Sequence, residues 1–156
     1  MWGISRVFDR RTLRRGATLV EFALVAPVTL LLVIGLLVGG LGVFHAQQVA
    51  MLAHEASRWA SVHGTDYAAA TKNEAATATD VYDQAIKPSA VGLDLSHLTY
   101  TVTWDANNSP SSTVTVKGKS VQVSNTVTVT VNYNWIPEAY WGGMNLSSTS
   151  TCVMSF

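Results

Sequence analysis

The chain has 156 residues, which is room for one modest domain, and ten basic side chains against ten acidic ones. Its single cysteine, Cys152, excludes an internal disulfide framework, while an intermolecular bridge and a buried free thiol both stay open. The basic charge is concentrated in residues 1–16, where five arginines and one aspartate give a net charge of +4. Because this block directly precedes an apolar run, we interpret it as a membrane-topology signal and not as a nucleic-acid-binding patch.

Residues 22–44 form an uncharged run of 23 residues, mostly Leu, Val, Ala and Gly. As a helix this run would be about 35 Å long, enough to cross a hydrocarbon core of about 30 Å. A cleaved secretory signal has a shorter apolar region of about 7–15 residues, so we predict a true transmembrane segment. The preceding arginines favour a cytoplasmic N-terminus, which would place residues 45–156, with five basic and eight acidic groups, outside.

The helix is predicted to continue beyond the membrane and to cover residues 17–63, because Gly64 is the first strong stop signal after the apolar run. Its upper half has an apolar stripe at helical spacing, formed by Val49, Leu52, Ala56 and Trp59. A second stripe consists of small residues, which allow another helix to approach closely. Its members are Gly35, Gly39, Gly42, Ala46, Ala50, Ala53 and Ser57. This stripe predicts association with other subunits through the N-terminal helix.

The remaining chain is predicted to form a connector and a small β domain. Residues 64–97 are predicted to form a connector with a short helix that ends at Lys87-Pro88. From residue 98 the apolar period changes to two, which predicts antiparallel strands over residues 98–156, with an irregularity at Asn125 that we interpret as a bulge. The predicted fold class is α+β, with the Val49 stripe of the long helix packed on one face of this sheet.

The sequence gives no signal for an enzyme, a metal site or a cofactor. His54-Glu55 begins a pattern found in zinc proteases, but position 58, where the second histidine would stand, is Arg58. There is no nucleophile motif of the G-x-S-x-G type and no glycine-rich phosphate loop. We therefore predict a protein that is not an enzyme and that acts through assembly or binding.

Glu21 directly precedes the predicted membrane segment. A carboxylate at this position is costly unless it reaches the headgroups or pairs with a cation. Cleavage after Gly16 would create such a cation, because Ala17 would become a positively charged amino terminus. Residues 17 and 21 are four apart and therefore share one helix face. The alternative is that Glu21 extends to the cytoplasmic headgroup level and has no partner.

These residues carry a resemblance to a known family. Arg14-Arg15-Gly16 followed by ATLVE and an apolar helix resembles the processing site of type IV prepilins. The longer stretch RRGATLVEFALVAPVTLLL, followed by AQQVAMLAHEASRWAS, is similar to the TadE-like family of the tight-adherence pilus system. Pro27 and the block from Glu55 to Ala60 also fit this pattern.

The resemblance implies a minor pilin or pseudopilin of the bacterial inner membrane. A prepilin peptidase would cut after the leader 1–16, and the mature subunit would meet other pilins and the assembly machinery while held in the lipid bilayer. Glu21 would be the assembly carboxylate, and Pro27 would either bend the transmembrane helix or be merely tolerated there. The alternative is an unprocessed single-span anchor that displays a small β-rich binding domain, with Tyr140 and Trp141 in a candidate binding loop.

Overall fold

The computed structural model describes residues 10–137 and 142–155, with the backbone alone for residues 10–15 and for Ala17. The chain divides into two compact units, one ending at Gly40 and one beginning at Leu41. The predicted loop residues Tyr140 and Trp141, and residues 1–9 of the leader, lie outside the described residues.

Helix α1 covers Arg10–Ser61 and contributes residues to both units. From Thr18 onward this helix is long and apolar enough to cross a membrane, by its length and composition. Pro27 lies inside it without interrupting it. The helix ends shortly before Gly64, whose lack of a side chain makes it a weak helix former.

In its described residues, the second unit contains five antiparallel strands in two separate sheets. Strands β1 (Leu98–Trp104), β4 (Thr126–Trp135) and β5 (Met144–Val153) form a three-stranded sheet in the order β1-β4-β5. Strands β2 (Ser111–Val116) and β3 (Lys119–Ser124) form a two-stranded hairpin of their own. The prediction of a long helix packed on a small antiparallel sheet is confirmed.

The interpretation of Asn125 as a bulge within one strand is wrong, because Asn125 separates β3 from β4. Its buried side chain donates to the carbonyl oxygen of Ser109 at 2.8 Å and accepts from the Ser112 hydroxyl at 2.8 Å. Its own backbone N–H and C=O bind Pro110 and Met154. These bonds fix the point where the chain leaves the hairpin and enters the three-stranded sheet.

The core lies between one face of the three-stranded sheet and the upper part of α1. Val49, Leu52 and Ala56 of the predicted stripe are fully buried. Trp59, the fourth member, is only half-buried and stacks on His63 with ring centroids 3.9 Å apart. The inner face of β4 provides the matching surface, with Val127, Val129 and Val131 all fully buried.

The connector also covers the core, which the sequence did not predict. It contains α2 (Thr65–Thr71), α3 (Ala78–Val81), a π-helical turn (Tyr82–Ile86) and α4 (Lys87–Ser89). Its contact with the sheet includes the rings of Tyr82 and Tyr100, which stack 4.8 Å apart.

The helix ends one residue after the predicted end at Lys87-Pro88, since the helical path runs through Pro88 to Ser89. The turn before the proline is wider than an α-helical turn, with the N–H of Lys87 bonded to the carbonyl oxygen of Tyr82. Such a π turn changes the hydrogen-bond pattern at the point where the proline cannot donate.

Candidate processing and assembly site

Gly16 and Ala17 lie in the first turns of the described part of α1. Gly16 is exposed, and a Cβ added there would meet no atom within 4 Å. The glycine is therefore not required by packing against the described residues of this chain. A requirement for glycine at this position would have to come from another molecule that approaches the backbone closely.

Glu21 is exposed on α1, and no ion pair to it occurs among the described residues. The residues that follow it, Phe22 to Phe44, carry no charge, and most of their large apolar side chains are exposed. The Glu21 carboxylate is therefore the last charged side chain before this run. Such a group is costly in lipid unless it finds a cation or reaches the interface.

Glu21 shares a helix face with two of the predicted packing glycines. Gly39 is 18 residues further on, about five helical turns, and Gly35 lies one turn before Gly39. Both are exposed, and a Cβ added at either would meet nothing within 4 Å. A second helix that packs against these glycines would therefore run along the side of α1 that carries Glu21.

Gly42 differs from the other two glycines of the stripe because it packs against a side chain of this chain. A Cβ added to Gly42 would lie 2.9 Å from Cζ3 and 3.3 Å from Cη2 of Trp135. The absence of a side chain at position 42 is what lets the indole lie against the helix backbone. In the sequence, Gly42 has the same helical spacing as Gly35 and Gly39. This spacing alone does not show that Gly42 packs inside the chain and that the other two are open.

The upper members of the small-residue stripe also form an exposed group and a buried group. Ala46 and Ala50 are exposed, whereas Ala53 and Ser57 are fully buried in the second unit. The Ser57 hydroxyl is 2.9 Å from that of Ser150 on β5. The stripe is therefore open at Gly35, Gly39, Ala46 and Ala50, and it is covered within the chain at the other three positions.

Pro27 lies in the apolar part of α1, six residues beyond Glu21. A proline at this position cannot donate the helical hydrogen bond to the carbonyl oxygen of Ala23. Two residues later, the Thr29 hydroxyl donates to the carbonyl oxygen of Val25 at 3.0 Å. The face beside these residues is a shallow apolar groove that includes Phe22, Val25 and Leu30.

Metal ligands are not grouped in the described part of the chain, where no three His, Cys, Asp or Glu side chains could hold an ion. Two histidines of this part lie among other kinds of neighbour. His63 Nδ1 lies 2.7 Å from the carbonyl oxygen of Trp59, and His45 lies among the rings of Phe44, Tyr133 and Trp135. Cys152 is a free, half-buried thiol.

Comparison with known proteins gives a family match at the N-terminal helix. The family described as TadE-like protein matches residues 16–58, which begin at Gly16 and include Glu21, Pro27 and the apolar run. Neither a curated protein nor a solved structure matches the chain. The match starts at the residue before the predicted cut and ends in the buried part of α1. Residues 16–58 of the chain are thus similar to the family of TadE-like proteins, which supports the resemblance seen in the sequence.

Proposed function

We propose that this protein is a minor pilin or pseudopilin of a tight-adherence pilus, cut after Gly16 by a prepilin peptidase and assembled through its N-terminal helix. The observation that carries the proposal is the register of Gly16, Ala17 and Glu21 at the start of the TadE-like match. The leader 1–16 stays in the cytoplasm, and residues 45–156 lie outside the inner membrane.

The chemical role of the cut is to supply a cation for Glu21. The new amine at Ala17 lies four residues from Glu21, on the same helix face. Within one subunit the amine lowers the cost of holding a carboxylate near lipid. Between two subunits the same pair sets the axial register, because each Glu21 can bind the amine of its neighbour.

The open glycines support assembly along that same face. Gly35 and Gly39 have no neighbour within 4 Å of an added Cβ, so a helix backbone can approach them closely. Contact there would place the neighbouring helix beside Glu21. The apolar side chains of this region are exposed in the isolated chain, and lipid or neighbouring subunits must cover them.

The test is the intact mass and N-terminal residue of the full chain, extracted from membranes with and without an active prepilin peptidase. We expect a chain that begins at Ala17 when the peptidase is present. Gly16→Leu should abolish the cut, and the matched variant Gly40→Leu, at another open glycine of α1, should leave it intact. A chain that keeps its leader in the presence of the peptidase would overturn the proposal and favour the unprocessed anchor.

A second test addresses the carboxylate after cleavage is established. Glu21→Gln keeps the shape of the side chain and removes its charge. We expect normal cleavage but loss of the subunit from sheared pili, with Glu55→Gln, an exposed glutamate on the same helix, as the control. Equal incorporation of both variants would refute the amine–carboxylate role.

A further inference from the structure

The second unit contains a cavity of about 260 Å³ that no part of the proposed function uses. It is bounded by α1, by the loop before β1 and by the end of β4. Its walls include His45, Asp94, His97, Tyr133, Trp135 and Ile136. No sequence pattern predicts it, because these residues are far apart along the chain.

Three of the walls are aromatic rings that face one another at close range. The ring of His45 lies 5.4 Å from that of Trp135 and 5.9 Å from that of Tyr133, measured between centroids. The negative faces of such rings attract organic cations. The tyrosine hydroxyl is bound to the loop, since it accepts from the backbone N–H of Asp94 at 3.4 Å.

Asp94 gives the cavity a negative charge. Hydrogen bonds from the backbone N–H and the hydroxyl of Ser96 hold the pKa of Asp94 below its usual value, so this carboxylate is ionised at neutral pH. No lysine or arginine is among the lining residues. The charge and the rings together favour a positively charged ligand.

A polar atom beside the cavity also lacks a partner. Nδ1 of His45 is buried and has no hydrogen bond within the described structure. A buried nitrogen in that state loses hydration without compensation. Because this atom is closed to solvent, it is not itself a contact for a ligand in the cavity, which meets the ring of His45 instead.

The position of the cavity indicates where the ligand comes from. His45 directly follows Phe44, the last residue of the uncharged run, and therefore lies at headgroup level in a chain whose residues 22–44 cross a bilayer. Large apolar side chains near the lining residues are strongly exposed. They are Phe44 (49%), Val91 (72%), Ile136 (52%) and Met144 (54%). Apolar residues beside an aromatic pair are typical of a surface that rests on lipid.

We propose that this cavity binds the ammonium headgroup of a zwitterionic phospholipid of the phosphatidylethanolamine type. The ammonium group lies against the rings of Tyr133 and Trp135, close to the Asp94 carboxylate, and the exposed apolar side chains contact the acyl boundary. The inference rests on the membrane span of the proposed function but not on cleavage or on pilus assembly. Anionic lipids without an amine are disfavoured, because their charge has the same sign as Asp94.

The test uses the full chain in mixed lipid–detergent micelles and measures the lipid that stays bound, by native mass spectrometry. The two probes are phosphatidylethanolamine and phosphatidylglycerol with the same acyl chains. We expect preferential retention of phosphatidylethanolamine and a loss of about fivefold in Asp94→Asn, the effect of one partly solvated charge pair. Asp80→Asn is the matched control, since Asp80 is also an exposed carboxylate bound to a neighbouring hydroxyl and N–H.

Each outcome of this test either supports or overturns the proposed lipid site. Equal retention of the two lipids, or equal loss in the two aspartate variants, would overturn the proposal. Binding of free phosphoethanolamine as tightly as of the lipid would assign the cavity to a soluble amine and overturn the lipid source. Retention of phosphatidylethanolamine by a chain that keeps its leader in the presence of an active prepilin peptidase would support the lipid site and refute the processing proposal, so the two failures are distinguishable.

Discussion

The contact between Gly42 and Trp135 predicts that an added methyl group destabilises the protein. In Gly42→Ala the new Cβ would lie 2.9 Å from an indole carbon, which is closer than van der Waals contact. Either the indole or the helix must move. Forcing one extra carbon into a packed site typically costs about 1–3 kcal/mol.

A favourable effect opposes this cost. Alanine stabilises a helix relative to glycine by about 0.5–1 kcal/mol. The net expectation for Gly42→Ala is therefore a loss of up to about 2.5 kcal/mol in the free energy of unfolding. Gly40→Ala is the matched control, because position 40 has no atom within 4 Å of an added Cβ and gains the helix preference alone.

The assay is chemical unfolding of the full chain in detergent micelles, followed by tryptophan fluorescence. A double-mutant cycle then identifies the cause, because Trp135→Phe has a smaller ring and should remove most of the cost of Gly42→Ala. If Gly42→Ala and Gly40→Ala shift the unfolding midpoint equally, the close approach of Trp135 to the helix is refuted.

Three further predictions concern the second unit. Asn125→Ala should cost about 2 kcal/mol, because it leaves the buried carbonyl oxygen of Ser109 without its donor; denaturant titration measures this loss, and an unchanged midpoint would contradict it. Hydrogen bonds from Thr77 hold the pKa of Asp80 below 3.8, so its stabilising effect is present above that pH and is lost as the pH falls through the lower folded value. Unfolding midpoints between about pH 2 and pH 6 should therefore fall less steeply in Asp80→Asn than in the natural chain, and parallel curves would exclude the role. Gly118 has φ +78°, so Gly118→Ala should strain the β2–β3 turn and speed amide exchange in that hairpin while β4 exchanges as before.

The helix and the strands followed from the periodicity of the sequence. The uncharged run, the 3-4-3 spacing of the Val49 stripe and the alternation from residue 98 each specify one element and its buried face. The long helix on a small sheet could be predicted because each element has one apolar face that needs cover.

The division into two sheets could not be predicted, because the valines of β3 and β4 hold the same odd positions on both sides of Asn125. Only tertiary contacts distinguish them. Val127 and Val129 are covered by the core, whereas the hairpin valines at 114, 116, 121 and 123 are 44–53% exposed. The continuation of the helix through Pro88 could not be predicted either, because apolar periodicity does not distinguish a π turn from an α-helical turn.

The part of the candidate site that could be predicted consists of residues that are close together in the sequence. Gly16 and Glu21 lie five residues apart, and their register was visible in the sequence. The contact of Gly42 with Trp135 and the cavity beside His45 depend on residues about 90 positions away, and no spacing rule connects them.

The hydrogen bonds at the base of the β2–β3 hairpin also make it a module that can change in length. Asn125, Ser109 and Ser112 close the base, and the N–H of Asp105 binds the carbonyl oxygen of Thr126 at 2.9 Å just below it. Nearly all residues of β2 and β3 are exposed, so we expect that pairs of residues can be added at the Lys117-Gly118 turn without a change in the three-stranded sheet. The tip of this hairpin is thus a natural place to carry a foreign peptide, such as an antibody epitope, on an otherwise unaltered subunit.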